Sequence, residues 1–259
     1  MRMISVEGGI LEIEERGSGP ALIMLHSLLT DSTAFDSVVE ELARSRRVIL
    51  VNLPGFGKSS PAGSTIESMA ERVAAVLPAL ELKNDTCILG NGFGGFIAAT
   101  LAIRRGALID RLVLANCGVR FSDEGRAAFK MMADRVREHG MAGIVDVAIK
   151  RLFPQSYIDT HPRVIEERRQ VLLKNDPQRF AQACLALASL DLENGVRAIA
   201  NPTLVLVGSL DTATPPSMAL ELADILPVAQ YAEITGCGHA PMIQAPTAFL
   251  STVKRFLDE

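Results

Sequence analysis

The stretch that decides the fold is Cys87-Ile88-Leu89-Gly90-Asn91-Gly92-Phe93-Gly94-Gly95-Phe96-Ile97-Ala98-Ala99. An apolar run typical of a buried strand meets closely spaced glycines, and an apolar helix-forming segment follows at once. This layout predicts a nucleophile elbow, the sharp strand-to-helix turn written G-x-S-x-G. The frame here is Gly90-Asn91-Gly92-Phe93-Gly94, so the position of the nucleophile carries Gly92, which has no side chain.

The same glycines also satisfy the dinucleotide-binding pattern G-x-G-x-x-G, through Gly90, Gly92 and Gly95. Two features oppose a dinucleotide-binding turn. The turn follows several predicted strands instead of lying near the start of the chain, and no acidic residue ends a strand about twenty residues later. Asp110 begins a predicted strand there instead. The glycine spacing alone leaves both kinds of turn open.

Length and composition bound the class of protein. A chain of 259 residues, 48% hydrophobic and 22% charged, suits one large globular α/β domain. No apolar run reaches the roughly 18 residues that span a bilayer, and the start is too soon acidic for a signal peptide. The four cysteines lack C-x-x-C spacing, which disfavours both zinc and a disulfide framework. We therefore expect a cytoplasmic protein with no metal, no cofactor and no membrane contact.

The charge pattern bears on the partner. A net charge of −4 argues against nucleic acid. Between Arg120 and Phe180, however, 12 basic residues outnumber 9 acidic ones. A mildly basic segment over an acidic body favours an anionic small-molecule substrate, although two ordinarily solvated surfaces would give the same counts. Composition does not determine the oligomeric state.

Strands alternate with helices on either side of a block of helices. Residues 121–200 show only helical periodicity. On both sides of this block, helical segments follow short strand-like runs, which are either wholly apolar or alternate apolar and polar residues. We expect Ser32 and Ser64 to cap two of these helices. The pattern predicts an α/β fold, a mostly parallel twisted sheet flanked by helices, with residues 1–120 and 201–259 as the core and 121–200 as a helical cap insertion.

Two later segments carry polar side chains that could take part in catalysis. Asp211 comes just past the predicted strand Thr203–Val207, and His239 stands in the glycine-flanked loop Gly236-Cys237-Gly238-His239-Ala240-Pro241. The chain order of elbow, acid and histidine is the order of α/β-hydrolases. Each segment is modest evidence alone, but together with the helical insertion they favour a hydrolase elbow over a dinucleotide-binding turn.

The chain resembles the α/β-hydrolase fold family over essentially its whole length, and within it the 3-oxoadipate enol-lactonase-like members. The finer likeness rests on the stretches 27–31, 140–144, 175–184 and 211–216. The resemblance implies an α/β-hydrolase fold and a hydrolase that acts on a small, carboxylated lactone or ester.

The resemblance also implies roles for individual positions. Asp211 would orient and electrostatically support His239, which would shuttle protons as general base and acid. The backbone N–H groups of Leu28 and Phe93 would form the oxyanion hole.

Two further residues near these positions invite interpretation. His26 fits the His-Gly pair common in the family, with Ser27 replacing the glycine, and we expect His26 to make a structural hydrogen bond in its loop. Cys117 ends a strand at the carboxyl edge of the sheet, where open α/β sheets place ligands. A thiol there could be reactive, but we expect a small, buried apolar residue.

Gly92 departs from the family pattern and leaves three explanations open. Glycine has no atom that attacks a carbonyl, so no acyl-enzyme can form at this position. The chain could carry an engineered Ser→Gly change that traps a substrate. It could instead be a natural variant in which His239 activates a water in the space of the absent hydroxymethyl group. It could also be a relative that has lost hydrolysis and binds or isomerises a ligand.

Overall fold

The structure, a computed structural model, describes residues 1–83 and 85–259. Within these ranges an eight-stranded sheet organises the chain in the order β1-β2-β4-β3-β5-β6-β7-β8. The pairs β1–β2 and β2–β4 are antiparallel, and every other neighbouring pair is parallel. The mostly parallel sheet predicted from the sequence is therefore confirmed. The strands are β1 (Arg2–Val6), β2 (Gly9–Arg16), β3 (Ala21–Leu25), β4 (Arg47–Asn52), β5 (Cys87–Asn91), β6 (Leu112–Ala115), β7 (Thr203–Gly208) and β8 (Ala229–Ile234).

The burial of each strand follows its apolar pattern. Every residue of the central strands β3, β5, β6 and β7 is buried, as expected for wholly apolar runs covered on both faces by helices. The edge strand β8 has one buried residue, Ile234. Because the central strands are parallel, their carboxyl ends lie along one edge of the sheet, and the loops that leave this edge meet there.

Helices surround the sheet, and the described elements between β6 and β7 are all helical. None of the described helices combines the length and the apolar character that crossing a membrane requires. The α-helices are α1 (Asp36–Leu42), α2 (Ile66–Ala74), α3 (Val76–Ala79), α4 (Phe93–Arg105), α5 (Asp123–His139), α6 (Val145–Leu152), α7 (Gln155–Thr160), α8 (Pro162–Leu173), α9 (Pro177–Ala188), α10 (Glu193–Val196), α11 (Pro216–Ile225), α12 (Pro241–Gln244) and α13 (Pro246–Leu257).

Two predicted helix caps are wrong. Asp31, not Ser32, caps the 3₁₀ turn Ser32–Phe35 that precedes α1. Its side chain accepts a hydrogen bond from the backbone N–H of Thr33. Thr65, not Ser64, caps α2 through the N–H of Ser68. In both cases the side chain next to the predicted cap is also a good acceptor.

The elbow glycines allow backbone segments to approach each other closely. A Cβ atom on Gly90 would lie 2.2 Å from the carbonyl oxygen of Gly94, and one on Gly94 would lie 2.3 Å from that of Leu25. Neither contact is sterically possible for a side chain. Gly92 between them has φ 53°, a left-handed conformation that glycine adopts freely. The strand β5, the turn and α4 therefore form the predicted elbow.

Candidate active site

Five loops at the carboxyl edge of the sheet each contribute one residue to a common site. The structure brings together the three residues predicted from the sequence, Gly92, Asp211 and His239, and it adds two others. The five are Ser27 after β3, Gly92 after β5, Asn116 after β6, Asp211 after β7 and His239 after β8.

Asp211 and His239 form a buried hydrogen-bonded pair. His239 Nδ1 lies 2.9 Å from Asp211 Oδ2, and the two side chains are almost completely excluded from solvent. An ionised carboxylate only accepts hydrogen bonds, so we assign the proton of the neutral imidazole to Nδ1. The second ring nitrogen, Nε2, then carries a lone pair and acts as an acceptor. This is the arrangement that a histidine base requires.

Asp211 has further donors on both oxygens. Oδ1 accepts from the backbone N–H groups of Ala213 and Thr214 at 2.8 and 3.1 Å. Oδ2 accepts from the Thr214 hydroxyl at 2.7 Å and from the Asn116 amide at 2.8 Å. Burial alone would raise the pKa of Asp211. Attraction to the protonated form of His239 and the hydrogen bonds from His239, Asn116 and Thr214 outweigh burial, and the pKa of Asp211 lies below its ordinary value.

The sequence reasoning missed the supporting roles of Asn116 and Thr214. Asn116 is buried, and its backbone is left-handed with φ 52°. Asparagine tolerates that conformation better than most residues, so an asparagine directly after a central strand was a usable signal. Thr214 lies three residues after Asp211, the spacing at which side chains in a turn commonly hydrogen-bond each other.

The space above Gly92 is already occupied. A Cβ atom built on Gly92 would lie 2.5 Å from His239 Nε2 and 2.5 Å from Ser27 Oγ. Both distances are far shorter than an ordinary van der Waals contact. A side chain at position 92 would therefore require the His239 ring and the Ser27 hydroxyl to move from these positions.

Ser27 contacts the histidine directly, which the sequence reasoning did not foresee. Its Oγ lies 3.0 Å from His239 Nε2, and the residue is buried. Because Nε2 is the acceptor nitrogen of the neutral ring, the Ser27 hydroxyl donates this hydrogen bond. One signal was present in the sequence: the chain replaces a glycine of the family's His-Gly pair by serine and carries glycine at the elbow.

The predicted structural role of His26 is confirmed. Its Nε2 accepts from the backbone N–H of Leu53 at 3.0 Å, and its Nδ1 donates to the carbonyl of Ser27 at 2.8 Å. Complete burial lowers the pKa of His26, which keeps the ring neutral and compatible with both bonds. His26 thereby fixes the loop that carries Ser27.

Leu28 and Phe93 line the same cavity as Gly92 and His239. Phe93 is the first residue of α4, where a backbone N–H has no acceptor within the helix. The N–H of Leu28 donates to no backbone carbonyl among the described residues. Two amides with no hydrogen-bond partner among the described residues, both lining the cavity that His239 lines, fit an oxyanion hole, and the start of a helix favours negative charge.

The cavity lies between the sheet edge and the helices that follow β6. Its free volume is about 30 Å³, so the cavity is narrow and has room for few atoms in this state. Most of its lining is apolar, and the helical segment 121–200 supplies a large part of it. The residues from that segment are Phe121, Phe129, Met132, Arg151 and Leu187.

Arg151 places a positive charge in this apolar cavity. Its guanidinium carbon lies 5.7 Å from the centre of the Phe129 ring. Among the described residues it forms no ion pair or side-chain hydrogen bond. Burial lowers the pKa of Arg151, and the nearby negative charge of Asp211 counteracts that shift. A mostly buried guanidinium with no carboxylate partner is costly and suits an anionic ligand.

The predicted burial of Cys117 is confirmed. The residue is 1% exposed. Burial and the charge of Asp211 raise the pKa of its thiol well above the ordinary range, so it stays protonated. Cys237 is also buried, and burial raises the pKa of its thiol. Neither sulfur is a nucleophile at neutral pH.

The helical segment and the sheet both hold the histidine loop. The backbone N–H of His239 donates to the carbonyl of Leu152, the last residue of α6, at 2.9 Å. Its carbonyl accepts from the side-chain amide of Asn91, at the end of β5, at 3.1 Å. The imidazole is thus positioned from two sides of the cavity.

Comparison with known proteins agrees with this geometry. Residues 22–252 match the model of a family described as "Alpha/beta hydrolase family". The pimeloyl-[acyl-carrier protein] methyl ester esterase of Nitrosomonas europaea is 30% identical over 93% of this chain and 97% of that protein.

Solved structures are similar over the whole chain. The enol-lactonase from Burkholderia xenovorans LB400 superposes with a TM-score of 0.93 at 29% identity, covering 100% of both chains. A thermophilic esterase from Thermogutta terrifontis, with malate bound, gives a TM-score of 0.91 at 30% identity, over 99% of this chain and 97% of that one. The predicted likeness to enol-lactonases is confirmed.

Proposed function

Because the chain belongs to the α/β-hydrolase family, we propose that it hydrolyses small carboxylated esters or lactones. The observation that carries the proposal is the buried Asp211–His239 pair beside the cavity. A protein that only bound a ligand would have no evident need for a carboxylate that fixes the tautomer of an imidazole. Here the pair supports proton transfer, with His239 as general base and acid and Asp211 as its orienting carboxylate.

The remaining parts of the site support the same reaction. His239 Nε2 takes the proton of an attacking hydroxyl group and later delivers a proton to the leaving alcohol. The amides of Leu28 and Phe93 stabilise the negative charge that develops on the carbonyl oxygen. The attacking oxygen comes from elsewhere than position 92, where glycine has no side chain.

Arg151 supports a carboxylated substrate. Its guanidinium borders the cavity without an anionic partner among the described residues, and the bidentate geometry of arginine matches a carboxylate. The excess of basic residues between Arg120 and Phe180 agrees with an anionic substrate. The esterase of Thermogutta terrifontis is similar to this chain and was solved with malate, a dicarboxylate, bound.

A panel of esters and lactones, with and without a free carboxylate, tests the proposal. We expect His239→Ala to lower kcat/KM on every substrate by about 10²–10⁴-fold, the usual worth of general base catalysis. Arg151→Leu should raise KM for the carboxylated members alone by roughly 10–100-fold, since it removes a charge-assisted hydrogen bond. Arg163→Leu is the matched control, because Arg163 also lies on a helix of the same segment but is fully at the surface.

The alternative function is a non-hydrolytic, ligand-binding member of the family, and Gly92 is the observation that favours it. Binding without turnover would support that alternative. The decisive result is saturable binding of carboxylated esters by the folded protein, with no hydrolysis above the uncatalysed rate across the panel, in the unmodified chain and in His239→Ala alike.

A further inference from the structure

We propose that Ser27 is the nucleophile of this hydrolase, attacking from the loop after β3 in place of the side chain that Gly92 lacks. The inference rests on the proposed function, since it names the attacking group of the same site. It shifts the reactive hydroxyl from the elbow to the neighbouring loop while the histidine and its carboxylate keep their places.

The hydrogen bond between Ser27 and His239 is the first support. Ser27 Oγ lies 3.0 Å from Nε2, within the range of a nucleophile and its general base. Asp211 holds the proton of the ring on Nδ1 from the opposite side, at 2.9 Å. The three side chains therefore form an Asp–His–Ser relay in which the hydroxyl of Ser27 donates to the free lone pair of the imidazole.

The space around Gly92 is the second support. The hydroxyl oxygen of Ser27 lies 2.5 Å from the place of a Cβ atom on Gly92, so it stands beside the point from which an elbow serine would attack. A side chain at position 92 would exclude the observed positions of both Ser27 Oγ and His239 Nε2. The observed position of the Ser27 hydroxyl and glycine at 92 are therefore a coupled pair.

Competition for the base is the third support. Nε2 of the neutral imidazole has one lone pair, and the Ser27 hydroxyl occupies it. A catalytic water would have to displace Ser27 from the base before it could be activated. The hydroxyl needs no such displacement, so it is the better placed of the two oxygens.

The backbone of Ser27 is held firmly. Its carbonyl accepts from His26 Nδ1 at 2.8 Å and from the Thr30 N–H at 3.2 Å. Its own N–H donates to the Thr30 hydroxyl at 3.1 Å. These bonds limit the motion of the side chain relative to His239, and a preorganised nucleophile avoids part of the entropic cost of reaching the attacking geometry.

The oxyanion hole also suits a nucleophile at position 27. In this fold, the hole combines the N–H of the residue after the nucleophile with an N–H from the other loop. Moving the nucleophile from 92 to 27 makes Leu28 the residue that follows it and Phe93 the contributor from the other loop. The same two amides serve, with their roles exchanged.

The reaction then proceeds in two balanced steps. Ser27 Oγ forms a bond to the carbonyl carbon as its proton moves to His239 Nε2, and the bond to the alkoxy oxygen breaks as His239 protonates the leaving alcohol. Water then attacks the acyl carbon and gives a proton to Nε2. The bond to Ser27 Oγ breaks, the proton returns to Ser27, and the carboxylic acid is released.

Covalent labelling tests the inference without knowledge of the substrate. The protein is treated with a fluorophosphonate, which gives up fluoride when a hydroxyl attacks its phosphorus, and fragment mass spectrometry locates the adduct. We expect one adduct, on Ser27, that is absent from Ser27→Ala and strongly reduced in His239→Ala. Ser32→Ala is the matched control, because Ser32 is a buried serine of the same segment between β3 and α1, and its hydroxyl has no partner among the described residues.

Steady-state and burst kinetics separate this inference from the proposed function. One outcome is that the protein hydrolyses esters in a manner that depends on His239, but forms no adduct on Ser27, and that Ser27→Ala has an unchanged kcat. This outcome would overturn Ser27 as the nucleophile, while the proposed hydrolase function would stand. An adduct on Ser27 without turnover on the panel would support Ser27 and contradict the proposed substrates. Neither adduct nor turnover would overturn both.

A second variant covers a folding defect in Ser27→Ala. Ser27→Cys keeps a nucleophilic atom of similar size. If Ser27 occupies the attacking position, we expect iodoacetamide to alkylate the new thiol in the folded protein faster than in Ser27→Cys/His239→Ala, since the imidazole favours the thiolate. Equal alkylation rates in the two variants would contradict the inference.

Discussion

Asp211 is a buried carboxylate that stays ionised because donors surround it. Burial opposes its charge, yet His239, Asn116 and Thr214 together hold its pKa below the ordinary value. The folded state therefore binds the proton of Asp211 less readily than the unfolded chain does. Each of these donors contributes to stability as well as to the orientation of the imidazole.

The pH dependence of stability follows from the sign of this shift. The unfolded carboxyl has a pKa of about 4, so the contribution of Asp211 is complete above about pH 4 and is lost as the pH falls through its lower folded pKa. Thr214→Val removes a donor to Oδ2 and raises that pKa. We expect the free energy of unfolding at neutral pH to fall by roughly 1–3 kcal/mol. Denaturant titrations at a series of pH values measure this.

Thr252→Val is the control for the Thr214 variant. Thr252 lies at the surface of α13, and among the described residues its hydroxyl donates only to the carbonyl of Ala248. We expect this change to leave the acid limb of the stability curve unaltered. An unchanged acid limb in Thr214→Val as well would mean that the threonine hydroxyl does not hold the pKa of Asp211 down.

Exchanging the two coupled residues should move the nucleophile back to the elbow. Gly92→Ser alone places its Cβ against Ser27 Oγ and His239 Nε2, and φ 53° adds a strain of roughly 1–3 kcal/mol. Ser27→Gly/Gly92→Ser relieves the contact with Ser27. We expect the double variant to exceed Gly92→Ser in kcat/KM on activated esters by about tenfold or more. Equal rates in the two variants, both shown to be folded, would argue against the coupling.

At the scale of secondary structure elements, the end of α6 acts as a support for the histidine loop. The carbonyl of Leu152 accepts the His239 N–H, and Gly238 packs against the same carbonyl. A Cβ atom on Gly238 would lie 2.8 Å from that oxygen. The segment 121–200 thus does two things: it lines the cavity, and it helps to set the position of the general base.

Gly238→Ala should therefore disturb catalysis through the backbone. Its methyl group pushes the Leu152 carbonyl away from the histidine loop, and displacements of about 1 Å can cost up to 10²-fold in rate. We expect kcat to fall by about tenfold or more, with a smaller effect on KM. The kinetic parameters of the folded variant on its best ester measure this.

Gly236→Ala separates strain from displacement of the base. Gly236 has φ 77°, but a Cβ atom there meets nothing within 4 Å. We expect a loss of roughly 1–3 kcal/mol in stability with little change in kcat. If both glycine variants lost stability but neither lost activity, the contact with α6 would not position His239.

At the scale of the whole molecule, the core encloses all four thiols. Cys87, Cys117, Cys184 and Cys237 are at most 3% exposed, and burial raises the pKa of each, that of Cys184 to about 12. They lie on different strands, helices and loops of the fold. Access to all four therefore requires extensive opening of the structure.

Thiol titration should therefore report global unfolding. We expect an aromatic disulfide reagent to react with none of the four thiols on the minute timescale in the native protein, and with four after unfolding in guanidinium chloride. The rate in the native state should track the equilibrium population of open molecules. A thiol that reacts at once in the native protein would contradict the burial described for that residue.

The sequence by itself determined the order of strands and helices, the helical insertion, the elbow and the positions of Asp211 and His239 after the last two strands. These features depend on local patterns, such as apolar periodicity, glycine spacing and the position of a polar residue after a strand. Even locally the limit is visible, since neighbouring side chains competed as helix caps at Asp31 and at Thr65.

Only the tertiary structure decided which groups meet. The contact between Ser27 and His239, the support of Asp211 by Asn116, and the place of Arg151 in the same cavity as His239 all join segments that are far apart in the chain. Such contacts depend on how parallel strands align their carboxyl ends and on how closely backbones approach at glycine. A change of about 1 Å in the distance between a hydroxyl oxygen and an imidazole nitrogen makes or breaks their hydrogen bond. That distance cannot be read from the spacing of residues along the chain.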